Sequence, residues 1–279
     1  MIDAHHHLWD PARREYPWMV GSALDPVRRP YTLEDLRRVA PGVSGTVLVQ
    51  TVSSVSETAE FLATAAASDG LVVGVVGWVN LVAPDVAERL AELRALPGGS
   101  LLVGIRHQAE NEPEPGWLVR PDVFRGLKAL ASAGLAFDLL VNPAQYASAV
   151  ELADRLPSAR LVLDHAGKPP IAAGGFAAWA PAITELARRP NVFCKLSGLV
   201  TEADWVSWKP SDLAPYVSHV LSSFGPSRVI FGSDWPVCEL AATYDEVVDV
   251  ARSLTAGQSR DERAELFGGA ARRAYALPG

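Results

Sequence analysis

The sequence predicts an α/β protein with the fold of a (β/α)8 barrel, also called a TIM barrel, and three observations lead to this prediction. Eight short apolar runs alternate with eight stretches of helical period along 279 residues. The apolar runs are continuous, which is typical of parallel strands buried on both faces. Many helical stretches begin with proline near the first turn, where its missing N–H is harmless. Eight such pairs of strand and helix match the barrel.

The predicted elements follow one another in strict alternation. Strands are predicted at residues 1–6, 45–51, 71–79, 101–105, 135–141, 160–163, 192–196 and 228–231. Helices are predicted at residues 32–39, 55–67, 84–95, 121–133, 143–156, 175–188, 210–224 and 242–253. An extra C-terminal helix at about residues 260–275 is expected to pack outside the barrel.

Residues 1–279 are predicted to form a single domain, because no linker, repeat or low-complexity segment interrupts the alternation. A doubly wound open sheet is the alternative architecture. It is disfavoured because no glycine-rich dinucleotide fingerprint follows the first strand.

Composition narrows the class of protein. The net charge is −7 and no basic run occurs, which argues against a nucleic-acid partner. The two cysteines, Cys194 and Cys238, indicate a reducing compartment and not a disulfide scaffold. No apolar segment is long enough to span a bilayer and no signal peptide is recognisable, so a cytoplasmic protein without a membrane partner is predicted. A homo-oligomer is left open.

The first ten residues, MIDAHHHLWD, contain the most informative motif. Residues two apart in a strand point to the same side, so His5 and His7 would project together while His6 faces the opposite side. Two imidazoles on one rigid element make half of a divalent-metal site. A purification tag would carry more histidines and would not be framed by apolar residues. A buried structural pair is the other alternative.

Nearly all of the further polar residues that interrupt the apolar strands do so at one end, the C-terminal end where barrels carry their chemistry. They are Arg106 and His107 on strand four, Asn142 on strand five, Asp164, His165 and Lys168 on strand six, Lys195 and Ser197 on strand seven, and Asp234 and Trp235 on strand eight. Each alone could be a cap, a buried ion-pair partner or a core histidine. Their coincidence on one rim favours a site, whereas His6 and His219 are assigned structural or surface positions.

Four of these residues are suited to metal chemistry. His5, His7, His165 and Asp234 would supply three neutral nitrogens and a carboxylate, which suits one Zn²⁺ or a similar ion with an open position for water. Such an ion lowers the pKa of its water to about 7. Asp234 could bind the metal and also accept the proton of the attacking water as general base.

The remaining rim residues would bind the substrate. They are Arg106, His107, Lys168 and Lys195, at an open mouth, and Trp235, whose flat face suits a sugar ring. Cationic groups at this position would hold a carboxylate or hydroxyl-rich molecule and stabilise an oxyanion. The predicted reaction is therefore hydrolysis at a carbonyl, without a G-x-S-x-G nucleophile elbow.

Five segments together, IDAHHHLWD, GIRH, VLDHAGKPP, KLSGL and FGSDWPV, resemble the amidohydrolase superfamily over essentially the whole chain. The branch they resemble contains sugar-lactone lactonases, of the L-fuconolactonase and L-rhamnonolactonase type, and 2-pyrone-4,6-dicarboxylate lactonase. The resemblance implies an amidohydrolase-type barrel in which water attacks a lactone carbonyl. It assigns Asp234 and His165 as catalytic residues, with Asp234 activating the water.

The chain departs from the wider superfamily on its middle strands. Strand five, FDLLVN, has no histidine, and no bridging lysine or histidine stands before Arg106 on strand four. A binuclear centre is therefore not expected, and at most one Zn²⁺ is predicted. Some members of the lactonase branch work without a metal, in which case the histidines would bind the substrate directly.

The substrate favoured by the sequence is an aldonolactone of the fucono or rhamnono type. A dicarboxylated pyrone would require several arginines, and Arg106 is the only one that a motif places at the mouth. A pyrone-dicarboxylate lactonase and a metal-dependent decarboxylase of a related branch are the enzymatic alternatives. A non-catalytic binding protein is disfavoured by the intact set of histidines and aspartate.

Overall fold

The computed structural model describes residues 1–278 and confirms the predicted (β/α)8 barrel. Eight parallel strands pair in sequence order from β1 to β8. The strands are β1 Ile2–His6, β2 Gly45–Val49, β3 Val72–Gly77, β4 Leu102–His107, β5 Ala136–Leu139, β6 Leu161–Leu163, β7 Val192–Leu196 and β8 Val229–Phe231. β4 extends two residues beyond its prediction, so Arg106 lies within a strand.

Helices cover the outside of this sheet. They are α1 Leu33–Val39, α2 Val55–Ala66, α3 Val86–Ala95, α4 Pro121–Ser132, α5 Tyr146–Arg155, α6 Phe176–Ala187, α7 Leu199–Glu202, α8 Pro210–Phe224, α9 Tyr244–Leu254, α10 Arg260–Ala264 and α11 Ala270–Tyr275. Among residues 1–278 none of them has the length and apolar character needed to cross a membrane.

Local capping chemistry explains where the helices begin. At α1 the Thr32 hydroxyl accepts a hydrogen bond from the Asp35 amide at 3.3 Å, and the Asp35 carboxylate accepts one from the Thr32 amide at 2.9 Å. Thr243 and Glu246 form the same box at α9. Pro121 opens α4 at a position where no amide hydrogen is needed. These local signals keep the helix boundaries close to the prediction.

The barrel closes between its first and last strands through residues that follow β8. The amide of Asp234 donates to the His5 carbonyl at 2.8 Å, and the amide of His7 donates to the Trp235 carbonyl at 2.7 Å. The closure therefore fixes two of the predicted site histidines to the segment that carries Asp234.

Asp3 reinforces this closure from within β1. Its fully buried carboxylate accepts hydrogen bonds from the Ser233 amide at 2.8 Å and from the His5 amide at 3.3 Å. Buried backbone N–H groups need such partners. Asp3 thus satisfies donors on both sides of the seam.

The predicted extra C-terminal helix is present, but it packs against the apolar residues that the strands direct into the barrel and not against the outer helices. It forms α10 and α11, joined by a π-helical turn at Glu265–Gly269. Ala274 and Tyr275 of α11 are buried in one cluster with strand residues such as Val47 and Val162. This cluster is separate from the one between the strands and the outer helices. The segment packs there because its small alanines can approach the apolar strand residues of this cluster closely. These strand residues, which include Val47 and Val162, form the floor of the barrel and would otherwise face water.

Candidate active site

The structure brings together the four predicted metal ligands at the C-terminal end of the barrel. The His5 and His7 Nε2 atoms lie 3.2 Å apart. The Asp234 Oδ1 atom lies 3.6 Å from His5 Nε2 and 3.5 Å from His7 Nε2. The His165 ring centroid is 4.6 Å from that of His5. The two β1 histidines therefore lie on the same side, as their spacing of two residues predicts.

His165 reaches this group through an unusual backbone. Residues His165, Ala166 and Lys168 have φ values of 52°, 51° and 55°, and Gly167 between them has 74°. Consecutive left-handed residues cost roughly 1–2 kcal/mol each for side chains other than glycine. Strain of this kind is retained where the surrounding structure demands a particular side-chain direction. Here the turn directs His165 and Lys168 towards the cavity described below.

Gly198, just after β7, provides the space for the His165 ring. It has a φ of +65°, and a Cβ atom there would lie 2.6 Å from His165 Nδ1 and 3.3 Å from Asp234 Oδ2. The neighbouring Ser197 hydroxyl lies 2.9 Å from His165 Nδ1. The G of the KLSGL segment is therefore a steric requirement of the site.

The site histidines are neutral at physiological pH. Burial lowers the pKa of His7 to about 3 and that of His165 to about 4. Burial and the nearby Lys195 ammonium hold the pKa of His5 well below its usual range. Burial raises the pKa of Asp234. Among the described residues, no lysine or arginine forms an ion pair with Asp234.

Neighbouring groups also constrain the protons of the two β1 histidines. The His7 Nδ1 atom lies 2.8 Å from the Val49 carbonyl, which can only accept, so His7 carries its proton on Nδ1. His5 lies between two cations that can only donate: the Lys195 ammonium is 3.0 Å from its Nδ1 atom, and Arg106 Nη1 is 3.3 Å from its Nε2 atom. The bare Nε2 of His7 faces His5 Nε2.

These donors fit a divalent ion by chemistry and spacing. A tetrahedral ion with bonds of about 2.0–2.2 Å requires ligand atoms roughly 3.3–3.6 Å apart. The three separations within the His5, His7 and Asp234 cluster are 3.2, 3.5 and 3.6 Å. Neutral imidazoles and a carboxylate are suitable ligands for such an ion.

Arg106 lies beside the cluster and is held by the protein on several sides. Its guanidinium donates to the Gln50 side chain at 3.0 and 3.1 Å and to Asp164 at 3.0 Å. It is 3% exposed and still lines the cavity. Gln50 follows β2 directly, and its role was not predicted from the sequence.

Lys195 lies deeper than the sequence predicted. It was expected at the open mouth, but it is 0% exposed and does not line the cavity. Its Nζ atom lies 2.6 Å from Asp138 and 2.8 Å from Asp164. Burial raises the pKa of Asp138 to about 6. For Asp164 the effect of burial is outweighed by Lys195, His5 and Arg106, so its pKa lies well below the usual range.

The cavity above the cluster has a volume of about 160 Å³. Its lining includes His7, His165, Asp234 and Lys168. The Lys168 ammonium donates to Glu110 at 2.6 Å and lies 3.8 Å from Glu202. Other lining residues that the sequence analysis did not single out are Trp18, Thr51, Gln108, Leu140, Thr201 and Val237.

Two predicted substrate contacts lie away from this cavity. His107 faces Glu112, with its Nε2 atom 2.7 Å from the carboxylate, and stacks on Trp117. Trp235 is 1% exposed and donates through Nε1 to Glu239 at 2.8 Å. Both follow the predicted strand ends, but neighbouring loops bury their polar atoms. Trp18, in a loop without a motif, is the tryptophan that lines the cavity.

Comparison with known proteins agrees with this geometry. The model of the amidohydrolase family matches residues 2–277. The chain belongs to the amidohydrolase family. This confirms the resemblance inferred from the five segments and identifies the chain as an enzyme of that family.

Individual amidohydrolase relatives match over nearly their full length. An L-fucono-1,5-lactonase of Burkholderia multivorans is 41% identical, covering 99% of this chain and 96% of the relative. One of Burkholderia ambifaria is 37% identical, covering 99% and 95%. A solved amidohydrolase structure from Burkholderia multivorans, with bound zinc, superimposes with a TM-score of 0.91 at 39% identity and covers 99% of both chains.

Gly198→Ala is expected to reduce activity about a hundredfold, because the new Cβ displaces His165, and small misplacements in a site can cost that much. Gly174→Ala is the matched control, since Gly174 has a φ of +66° with no atom near its missing Cβ. Both variants should lose similar stability from backbone strain. Specific activity and thermal melting of the two proteins measure the difference, and equal activities would contradict the steric role of Gly198.

Proposed function

We propose that this amidohydrolase opens the ring of a neutral sugar lactone by attack of water on the lactone carbonyl. The observation that carries the proposal is the Asp234 carboxylate, 4% exposed, beside neutral imidazoles at the base of a small cavity. A carboxylate without a cationic ion-pair partner can accept a proton from water. The names of relatives at 37% and 41% identity support the choice of a lactone.

The chain's own residues can carry the reaction. Asp234 would accept a proton as the water oxygen bonds to the carbonyl carbon, and would return it to the ring oxygen when the ring C–O bond breaks. His165 is neutral, and its Nδ1 can accept a hydrogen bond from the Ser197 hydroxyl. When no metal is bound, its Nε2–H would then stabilise the oxyanion. The Arg106 guanidinium adds positive potential beside the same position.

The charges around the cavity favour a neutral, hydroxyl-rich substrate. Glu110 and Glu202 flank the Lys168 ammonium, and burial raises the pKa of Glu202. Arg106 is already paired with a carboxylate of the protein. A dicarboxylate would therefore meet acidic side chains, and among residues 1–278 no unpaired arginine lines the cavity. Sugar hydroxyls, in contrast, can both donate to glutamates and accept from the ammonium. The Trp18 ring offers an apolar surface for C–H groups.

A panel of lactones tests the proposed substrate class. Neutral deoxy-sugar 1,5-lactones should be hydrolysed, with one proton released per ring opened, and 2-pyrone-4,6-dicarboxylate should not. A pH indicator follows the proton, and gas analysis with carboxylated phenols tests for release of CO₂. Hydrolysis of the dicarboxylate at a comparable kcat/KM, or release of CO₂, would contradict the proposal.

Asp234→Asn is expected to fold normally, bind lactone and lose about 10² to 10⁴ in hydrolysis rate, because the amide cannot accept a proton. The matched control is Asp69→Asn, since Asp69 has a similar φ of 54° but an exposed side chain. The hydrolysis rates of the wild type and the two variants are compared at matched protein concentration, and circular dichroism checks that each protein is folded. Retention of more than about a tenth of the rate would exclude Asp234 as the base.

We also propose that the site takes at most one Zn²⁺, held by His5, His7, Asp234 and His165. A bound ion would polarise the carbonyl and acidify water. A second ion beside His5 Nδ1 is disfavoured, because the Lys195 ammonium lies 3.0 Å from that atom and 2.8 Å from Asp164.

Metal analysis of protein purified without added metal should therefore find no more than about one equivalent of zinc or a similar ion. His7→Ala should lower that content. His219→Ala, which changes a histidine of α8 that packs on Phe176, should not. Two equivalents in wild type, or equal contents in the two variants, would contradict the assignment.

A further inference from the structure

Tyr275, on the C-terminal helix α11, contacts a charged group inside the barrel. Its side chain is 1% exposed among the apolar floor residues. Its hydroxyl lies 2.9 and 2.8 Å from the two carboxylate oxygens of Asp138. A buried hydroxyl in an apolar floor needs a partner of this kind. Burial and the neighbouring Asp138 raise the pKa of Tyr275 well above its usual range, so the hydroxyl is a donor.

Asp138 connects this hydroxyl to the candidate site. One of its oxygens accepts from the Lys195 ammonium at 2.6 Å. The same ammonium lies 2.8 Å from Asp164 and 3.0 Å from His5 Nδ1. The ammonium donates to Asp138 and faces His5 Nδ1, whereas its contact with Asp164 is an ion pair without a hydrogen bond. Its direction towards His5 therefore depends on Asp138 staying in place.

The contacts define an ordered chain from the barrel floor to the site. We propose that Tyr275 is a positioning residue: its hydroxyl fixes Asp138, which aims the Lys195 ammonium at His5 Nδ1. This inference rests on the proposed lactone hydrolysis only for its kinetic consequence. The contact between Lys195 and His5 is a property of the resting protein.

The aromatic ring alone does not account for the contact. The ring centroid lies 5.5 Å from Lys195 Nζ, so a phenylalanine would keep both the packing and the face towards the ammonium. Only the hydroxyl donates a hydrogen bond to Asp138. Tyr275→Phe therefore separates positioning from packing.

Tyr275→Phe should reduce kcat for the lactone about tenfold to a hundredfold while KM changes less than twofold, as for other outer groups that orient site residues. Tyr216→Phe is the matched control. Tyr216 is a buried tyrosine of α8 that packs on Phe176 and Trp179, and its hydroxyl makes no hydrogen bond within residues 1–278. The control should keep wild-type kcat and KM.

Nitrogen-15 spectra of the histidine rings give a readout without turnover. In Tyr275→Phe the His5 Nδ1 signal should shift, because the ammonium beside it moves, while the His219 signals stay unchanged. In Tyr216→Phe the His5 signals should remain as in the wild type. A His5 shift of equal size in both variants, or in neither, overturns the proposal.

The two readouts separate this inference from the proposed function. Absence of lactone hydrolysis in the wild type, together with the predicted change at His5, contradicts the function and supports the positioning role. Hydrolysis with kcat of Tyr275→Phe equal to that of Tyr216→Phe overturns the positioning role. A lower kcat with unchanged His5 signals also overturns it, because the route through Lys195 is then wrong.

Discussion

The buried ammonium of Lys195 between Asp138 and Asp164 is the interaction on which the candidate site depends. With Arg106, these side chains form two cations and two carboxylates within the barrel, each 3% exposed or less. Removing one partner from such a group leaves an uncompensated buried charge and typically costs about 3–5 kcal/mol. The group therefore tolerates little displacement, and this fixes both the guanidinium and the His5 ring that the cavity chemistry needs.

Much of the fold could be predicted from local patterns in the sequence. Continuous apolar runs marked the parallel strands, because strands covered on both faces carry few polar residues. The polar residues that interrupt those runs, such as His5, His165 and Asp234, then had to lie at one rim. This inference uses only strand direction and period, so it placed the central cluster correctly.

In contrast, the depth at which each polar side chain is buried could not be predicted from the local sequence pattern. Lys168 follows β6 and Lys195 lies near the end of β7. Lys168 lines the cavity, whereas Lys195 is enclosed by carboxylates from β5 and the end of β6. Glu110 and Glu202 lie in irregular or short segments, where no repeating sequence pattern predicts the direction of a side chain. The apolar face of α11 was visible, but an apolar pattern does not say which surface it covers. These facts depend on contacts between distant segments.

The large sequence separation of these contacts has a consequence for how the protein folds. Asp3 and Ser233 are 230 positions apart, and His5 and Lys195 are 190 apart. Contacts of such separation carry a large loop-closure entropy and form late in folding. Intermediates with most helices and strand pairs already native would still lack the cluster. Catalytic competence therefore reports completion of the whole barrel, which makes turnover a more stringent assay of refolding than helix content.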